Sequence, residues 1–221
     1  MSNETLDEDA VRDERETISE YGREMLQQGL TAGTGGNISA RVNGDCMAIS
    51  PSGMAYGDIT PEDVPVLDAD EKVIIGSREP SSEHSMHMQV YREHEGVNGV
   101  VHNHSPYAST FASIAEPIEA SHYLIAFVGE KVPVAAYETY GTEELGRAAV
   151  DTLGDEYNAC LLENHGVLAV GDDIASAFET ALMVEYCARI HYQARTIGDP
   201  SIIPDEEVEH LQAKFEDYGQ H

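Results

Sequence analysis

Two histidines one residue apart, His102 and His104, close an apolar run that begins at Val97. Val97, Val100 and Val101 favour a strand. Alternate strand side chains share a face, so His102 and His104 point the same way, with Cα atoms roughly 6.5 Å apart. Two neutral imidazoles at that spacing reach one metal ion at about 2.0–2.1 Å. A metal site needs further ligands, and two segments offer them. Pro80-Ser81-Ser82-Glu83-His84 lies upstream, and Glu163-Asn164-His165-Gly166-Val167 lies downstream. His84 and His87, one turn apart, are expected on a partly solvated helix surface, and His94 in an exposed polar stretch. Asn103 faces away from the strand histidines and reads as structural.

A second pattern consists of uncharged donors. Gly33, Gly35 and Gly36 let a loop turn tightly and offer N–H groups to an anion, though the loop matches neither dinucleotide nor P-loop spacing. Ser52-Gly53 and Ser81-Ser82 add hydroxyls and amides that can hold phosphate without positive charge. Such donors matter more here because cations are scarce. The 221 residues hold 41 Asp+Glu against 12 Lys+Arg, a formal net charge of −29. This balance excludes a nucleic-acid binder, since nothing offsets phosphate repulsion. It matches proteins of a high-salt cytoplasm, where the screening length is about 3 Å at 1 M salt. The lysines, Lys72, Lys131 and Lys214, lie outside the motifs, which argues against Schiff-base chemistry.

The elements that must position these groups follow from periodicity. Helices are expected over 11–28, 107–114, 142–153, 173–197 and 204–215, and over 83–94 with Ser82 as its cap. Strands are expected over 38–42 and 46–50, joined by Asn43-Gly44, over 64–67 and 72–75, and over 97–103, 132–136, 159–162 and 167–170. Thr60-Pro61 starts a short helix. Hairpins mixed with helices imply an α/β fold with a mixed, mostly antiparallel sheet under helices, not a doubly wound parallel sheet. Residues 1–10 read as a flexible acidic end, and 11–221 as a single domain. Cys46, Cys160 and Cys187 form no metal or disulfide pattern and are expected as free buried thiols. No apolar leader segment opens the chain and no run of about 18 apolar residues occurs, so a cytoplasmic protein away from membranes is expected.

Five motifs come in order: Gly-Thr-Gly-Gly-Asn at 33–37, Ser-Pro-Ser-Gly at 50–53, Ser-Ser-Glu at 81–83, His-x-His at 102–104 and Asn-His-Gly at 164–166. Together they resemble the class II aldolase/adducin family, most closely its L-fuculose-phosphate aldolase branch, from about residue 12 to Tyr218. The resemblance implies a three-layer α-β-α sandwich. It implies an enzyme with one zinc per subunit that cleaves a ketose 1-phosphate, such as L-fuculose 1-phosphate, to dihydroxyacetone phosphate and a short aldehyde such as lactaldehyde. It implies His102, His104 and His165 as zinc ligands, joined by Glu83 when substrate is absent. Glu83 would be the acid/base, and Gly36, Asn37, Ser52, Gly53, Ser81 and Ser82 would hold the phosphate. Tyr123 would act from a neighbouring subunit of a homotetramer, and Tyr218 from a mobile C-terminal segment. The same fold also serves L-ribulose-phosphate 4-epimerase, methylthioribulose-phosphate dehydratase and the non-enzymatic adducin head, which stay open as alternatives.

Overall fold

The valine run forms a strand, Gly99–Asn103, in the middle of an eight-stranded sheet. The computed structural model describes residues 8–43 and 45–218. In chain order the strands are β1 (Asn37–Asn43), β2 (Cys46–Ile49), β3 (Val66–Leu67), β4 (Val73–Ile75), β5 (Gly99–Asn103), β6 (Val134–Ala135), β7 (Ala159–Leu162) and β8 (Gly166–Gly171). The helices are α1 (Glu8–Gln27), α2 (His84–Glu93), α3 (Pro106–Ala112), α4 (Glu143–Leu153), α5 (Ile174–Ile197) and α6 (Asp205–Tyr218). The sheet order is β4-β3-β2-β1-β5-β8-β7-β6, antiparallel throughout except for β6 beside β7.

β5, β7 and β8 carry apolar residues on both faces, and successive residues enter different cores. Val101, Leu161 and Ala169 pack with Ile18 of α1, Phe111 of α3, Phe178 of α5 and Val208 of α6. Val100, Leu162 and Leu168 pack with Met86 and Val90 of α2 and Leu145 and Ala149 of α4. This period-two alternation makes a three-layer α-β-α sandwich around a mixed, mostly antiparallel sheet. Local chemistry fixes the helix starts. Thr142 accepts a hydrogen bond from Leu145 N, and Asp173 accepts one from Ser176 N at 2.7 Å.

Several expectations need correction. The N-cap position of α2 is Glu83 rather than Ser82, and no side chain caps it. Residues 8–10 belong to α1, while 1–7, Gly44 and 219–221 lie outside the described residues. His87 is wholly buried, not solvated, and His94 is half-buried with its Nε2 lacking a partner. Cys46 is half-buried, whereas burial pushes the thiols of Cys160 and Cys187 up to about 12. Among the described residues, no helix is long and apolar enough to cross a membrane.

Candidate active site

Three histidines from two places in the sheet converge at one end of it. His102 is buried near the end of β5 and shares the α2 face with Val100. Its Nδ1 donates to Val167 O on β8 at 2.8 Å, so the lone pair of a neutral ring lies on Nε2. Burial holds this imidazole neutral, with a pKa lowered to about 4. His104 follows the strand, anchored by its backbone N–H to Leu30 O at 3.1 Å. Its Nε2 lies 3.0 Å from His102 Nε2. His165 sits in the turn between β7 and β8, where Asn164 takes a φ of +56°, a conformation asparagine tolerates. Residue 166, after the histidine, must be glycine, because a Cβ there would lie 2.3 Å from Asn103 O. Gly36 is fixed likewise: its φ is +73°, and a Cβ there would lie 2.6 Å from His102 O. One ring nitrogen of each histidine lies within 4.8 Å of the others.

Glu83 faces this cluster. Its Oε2 is 3.3 Å from His102 Nε2, and its Oε1 is 3.5 Å from His165 Nε2. Burial works to raise its pKa, while the Asn37 amide and any positive charge on His102 and His165 work to lower it, and the net direction is down. Asn37 Nδ2 donates to Oε2 at 2.9 Å, while Oε1 is buried with no hydrogen-bond partner among the described residues. Lone pairs of His102 Nε2 and both carboxylate oxygens therefore point into one small space. That arrangement favours a cation, and three histidines with a carboxylate fit a divalent ion of the zinc type. The bond from His102 Nδ1 to a backbone carbonyl is the outer support such ligands use.

A cavity of about 380 Å³ opens beside the cluster. Gly36, Asn37, Ser52, Gly53, Ser81 and Ser82 all line it, with Glu83, His104 and His165. Its walls contain no Lys or Arg. Pro51 and Pro80 bridge the two serine segments, which spends the N–H groups of Ser52 on Glu79 O and of Ser81 on Ser50 O. Among the described residues, the hydroxyls of Ser52 and Ser82 and the N–H groups of Gly53 and Ser82 have no protein partner. Asn37 differs from expectation, because its side-chain amide is engaged by Glu83 and His87. A cleft of about 470 Å³ beside His94 and Leu153 is larger but gathers no comparable set.

Of the two expected tyrosines, one lies elsewhere. Tyr123 opens a short 3-10 helix, Tyr123–Phe127, is 48% exposed, and stacks near His122 and Phe215 instead of lining the cavity. Tyr218 ends α6, and its side chain lies outside the described residues. The sequence reading passed over Tyr140, an exposed ring on the cavity wall between β6 and α4. A lone aromatic in a loop carries no periodic signal. His87, expected on a partly solvated helix surface, is buried.

The family described as Class II Aldolase and Adducin N-terminal domain matches residues 16–192. The 5-deoxy-D-ribulose 1-phosphate aldolase of Bacillus thuringiensis serovar kurstaki is 49% identical over 95% of this chain and 99% of its own length. A 5-methylthioribulose-1-phosphate/5-deoxyribulose-1-phosphate aldolase of Rhodospirillum rubrum is 36% identical over 93% of this chain and 92% of its own. A solved L-fuculose 1-phosphate aldolase superposes with a TM-score of 0.89 at 40% identity, covering 92% of this chain and 96% of that one. Relatives of this kind set aside the non-enzymatic reading. With its mixed sheet, its histidine cluster and these relatives, the chain belongs to the class II aldolase/adducin family and is a lyase.

Proposed function

We propose that this chain is a zinc-dependent aldolase that cleaves a 5-deoxypentulose 1-phosphate to dihydroxyacetone phosphate and acetaldehyde. The observation that carries this reading is Glu83 set against three histidines, two of which line a cavity whose free donors are uncharged. The 49% identical Bacillus relative, named for 5-deoxy-D-ribulose 1-phosphate, supports the choice of sugar. L-fuculose 1-phosphate, releasing lactaldehyde, is the second reading, favoured by a 36% identical Escherichia coli relative and the 40% identical solved structure.

His102, His104 and His165 would hold the zinc, with Glu83 beside it before substrate arrives. Zinc supplies the positive charge that an enediolate needs. The substrate phosphate lies among the Ser52 and Ser82 hydroxyls and the Gly53 and Ser82 N–H groups, with Gly36, Asn37 and Ser81 completing the rim. Cleavage of the C3–C4 bond requires the C4 hydroxyl to lose a proton and C3 to gain one. Glu83 is ionised and close enough to the cluster to take and return that proton. Tyr123 serves the aldehyde side of a neighbouring site in a homotetramer, and Tyr218 closes over it from the C-terminal segment.

Metal-loaded protein should exchange a proton of dihydroxyacetone phosphate with deuterated water in the absence of aldehyde. Glu83→Gln should keep its metal and lose roughly 10²–10⁴-fold in rate. No exchange in the wild type, together with normal turnover by the Gln variant, would overturn the aldolase reading. In the synthetic direction acetaldehyde should give the higher kcat/KM, and a preference for lactaldehyde would select the second reading. We also assign the protein to a salt-rich cytoplasm, because a net charge of −29 repels itself unless screened. Its thermal midpoint should climb steeply from low to molar KCl, and a flat profile would count against that assignment.

A further inference from the structure

The side of Glu83 turned away from the cavity is held by a row of buried polar groups. Glu83, His87 and Tyr91 recur every four residues and so share one stripe of α2. Asn37 and Ser39 alternate along β1 and share the face beneath that stripe. Where the two periodicities meet, side chains interleave. Tyr91 Oη lies 2.8 Å from Ser39 Oγ, and Ser39 Oγ lies 2.7 Å from His87 Nδ1. His87 Nε2 lies 2.5 Å from Asn37 Oδ1, and Asn37 Nδ2 lies 2.9 Å from Glu83 Oε2. Relative exposure is 4% or less for Tyr91, Ser39, His87 and Asn37, so water does not complete these bonds.

Every donor in the row has one consistent assignment. Asn37 turns its amide N–H to Glu83 Oε2 and leaves Oδ1, which can only accept, facing His87. His87 Nε2 must therefore carry the proton. Burial pushes this imidazole down to about 3, so it is neutral and has only one N–H. Its Nδ1 then accepts from the Ser39 hydroxyl, whose oxygen accepts from the Tyr91 phenol. All four bonds run toward the carboxylate, the alignment in which each polarises the next. Flipping the Asn37 amide would set oxygen against oxygen at Glu83 and N–H against N–H at His87.

We propose that His87 is a positioning residue for the lyase reaction: through Asn37 it fixes the amide face and the rotamer that hold Glu83 against the histidine cluster. The proposal rests on Glu83 being the acid/base, as read above. His87 itself does not line the cavity, so its substitution separates positioning from substrate binding, which a change at Asn37 would not.

The test uses the zinc-loaded full chain, with kcat, KM and bound metal measured for each variant. His87→Leu removes the donor and the acceptor. It should lower kcat on the order of 10–100-fold, the usual cost of losing an outer-shell partner, with KM for the phosphorylated substrate and metal content unchanged. His87→Gln keeps one donor and one acceptor and should recover most of the rate. In a Glu83→Gln background His87→Leu should cost nothing further, because the two act as one unit. Wild-type kcat in His87→Leu, no rescue by glutamine, or losses that multiply in the double variant would each overturn the proposal. If His87→Leu does not fold, Ser39→Ala removes the hydroxyl that enforces the His87 tautomer. It should lower kcat severalfold at constant KM, and an unchanged kcat overturns the proposal equally. Normal turnover by Glu83→Gln alone would instead strike the underlying acid/base reading.

Discussion

On the face of the sheet covered by α1, α3, α5 and α6, strand residues Ile38, Ala40, Val101 and Ala169 meet Ile18, Met25, Phe111 and Phe178. On the face covered by α2, β1 and β5 turn polar toward one end. There Asn37 and Ser39 of β1 and His102 of β5 meet His87 and Tyr91 of α2, with Glu83 just ahead of that helix. The first face gains stability from apolar area, at about 25 cal/mol per Å² removed from water. The second gains little from burying polar groups and would lose heavily if any were left unpaired. Its return is geometric, since the row of bonds from Tyr91 to Glu83 Oε2 has one arrangement. Asn103, a polar side chain on the first face, is employed locally: its Oδ1 accepts from Ser105 N at 3.0 Å and turns the chain into α3. The chemistry thus sits on the α2 side alone, at the end beyond that side's own apolar core, and substitutions in the packed regions and in the polar end should fail in different ways.

The largest separation is expected at His165. His165→Ala takes one of three ligands from the cluster while touching neither core. Bound metal and turnover should both vanish, with secondary structure by circular dichroism retained. Full metal occupancy in that variant would remove His165 from the ligand set.

Phe178 tests the other side. It is 3% exposed and sits edge-on to Tyr21, with ring centroids 5.1 Å apart. Phe178→Ala should cost about 3–5 kcal/mol of stability, as large-to-small changes in a packed core do. Once corrected for folded fraction, kcat and KM should match the wild type. A large fall in kcat at undiminished stability would show that the two faces are coupled, and the comparison would break.

The same division explains what could be read from the residues alone. Continuous apolar runs mark β5, β7 and β8 because those strands are buried on both sides and bounded by turn residues. His102 and His165 are legible because a strand parity and an Asn-His-Gly turn are local patterns. The start of α2 is not. A hydroxyl next to a helix normally caps it, but here the backbone at Glu83 (φ −104°, ψ 15°) makes the glutamate the N-cap residue and turns its carboxylate to the histidines. Function overrides the local preference at that point. His87 is illegible for a related reason. The stripe Glu83, His87, Tyr91 reads as a solvated face until β1 supplies Asn37 and Ser39 opposite it. Tyr140 depends on a contact distant in sequence: Gly141, at φ +76°, tucks so closely beneath Ser82 that a Cβ would lie 3.0 Å from its carbonyl oxygen. Nothing near residue 140 announces that neighbour.

The smallest predicted effect sharpens the polar side further, by dividing it into a part that grips and a part that reacts. Ser82 is exposed on the cavity wall, and among the described residues its hydroxyl has no protein partner. Removing it leaves no buried group unpaired, so the penalty for folding should be near zero. What is lost is one hydrogen bond to a charged ligand, worth about 1.5–3 kcal/mol at most and less where water can substitute. Ser82→Ala should therefore raise KM for a ketose 1-phosphate on the order of 10-fold, close to 1.4 kcal/mol. It should leave kcat almost untouched, because the phosphate is bound equally before and during bond cleavage. A non-phosphorylated ketose should be turned over alike by wild type and variant. An equal loss on both sugars would mean that Ser82 serves the reacting carbons, placing it with Glu83 and His87 and not with the phosphate.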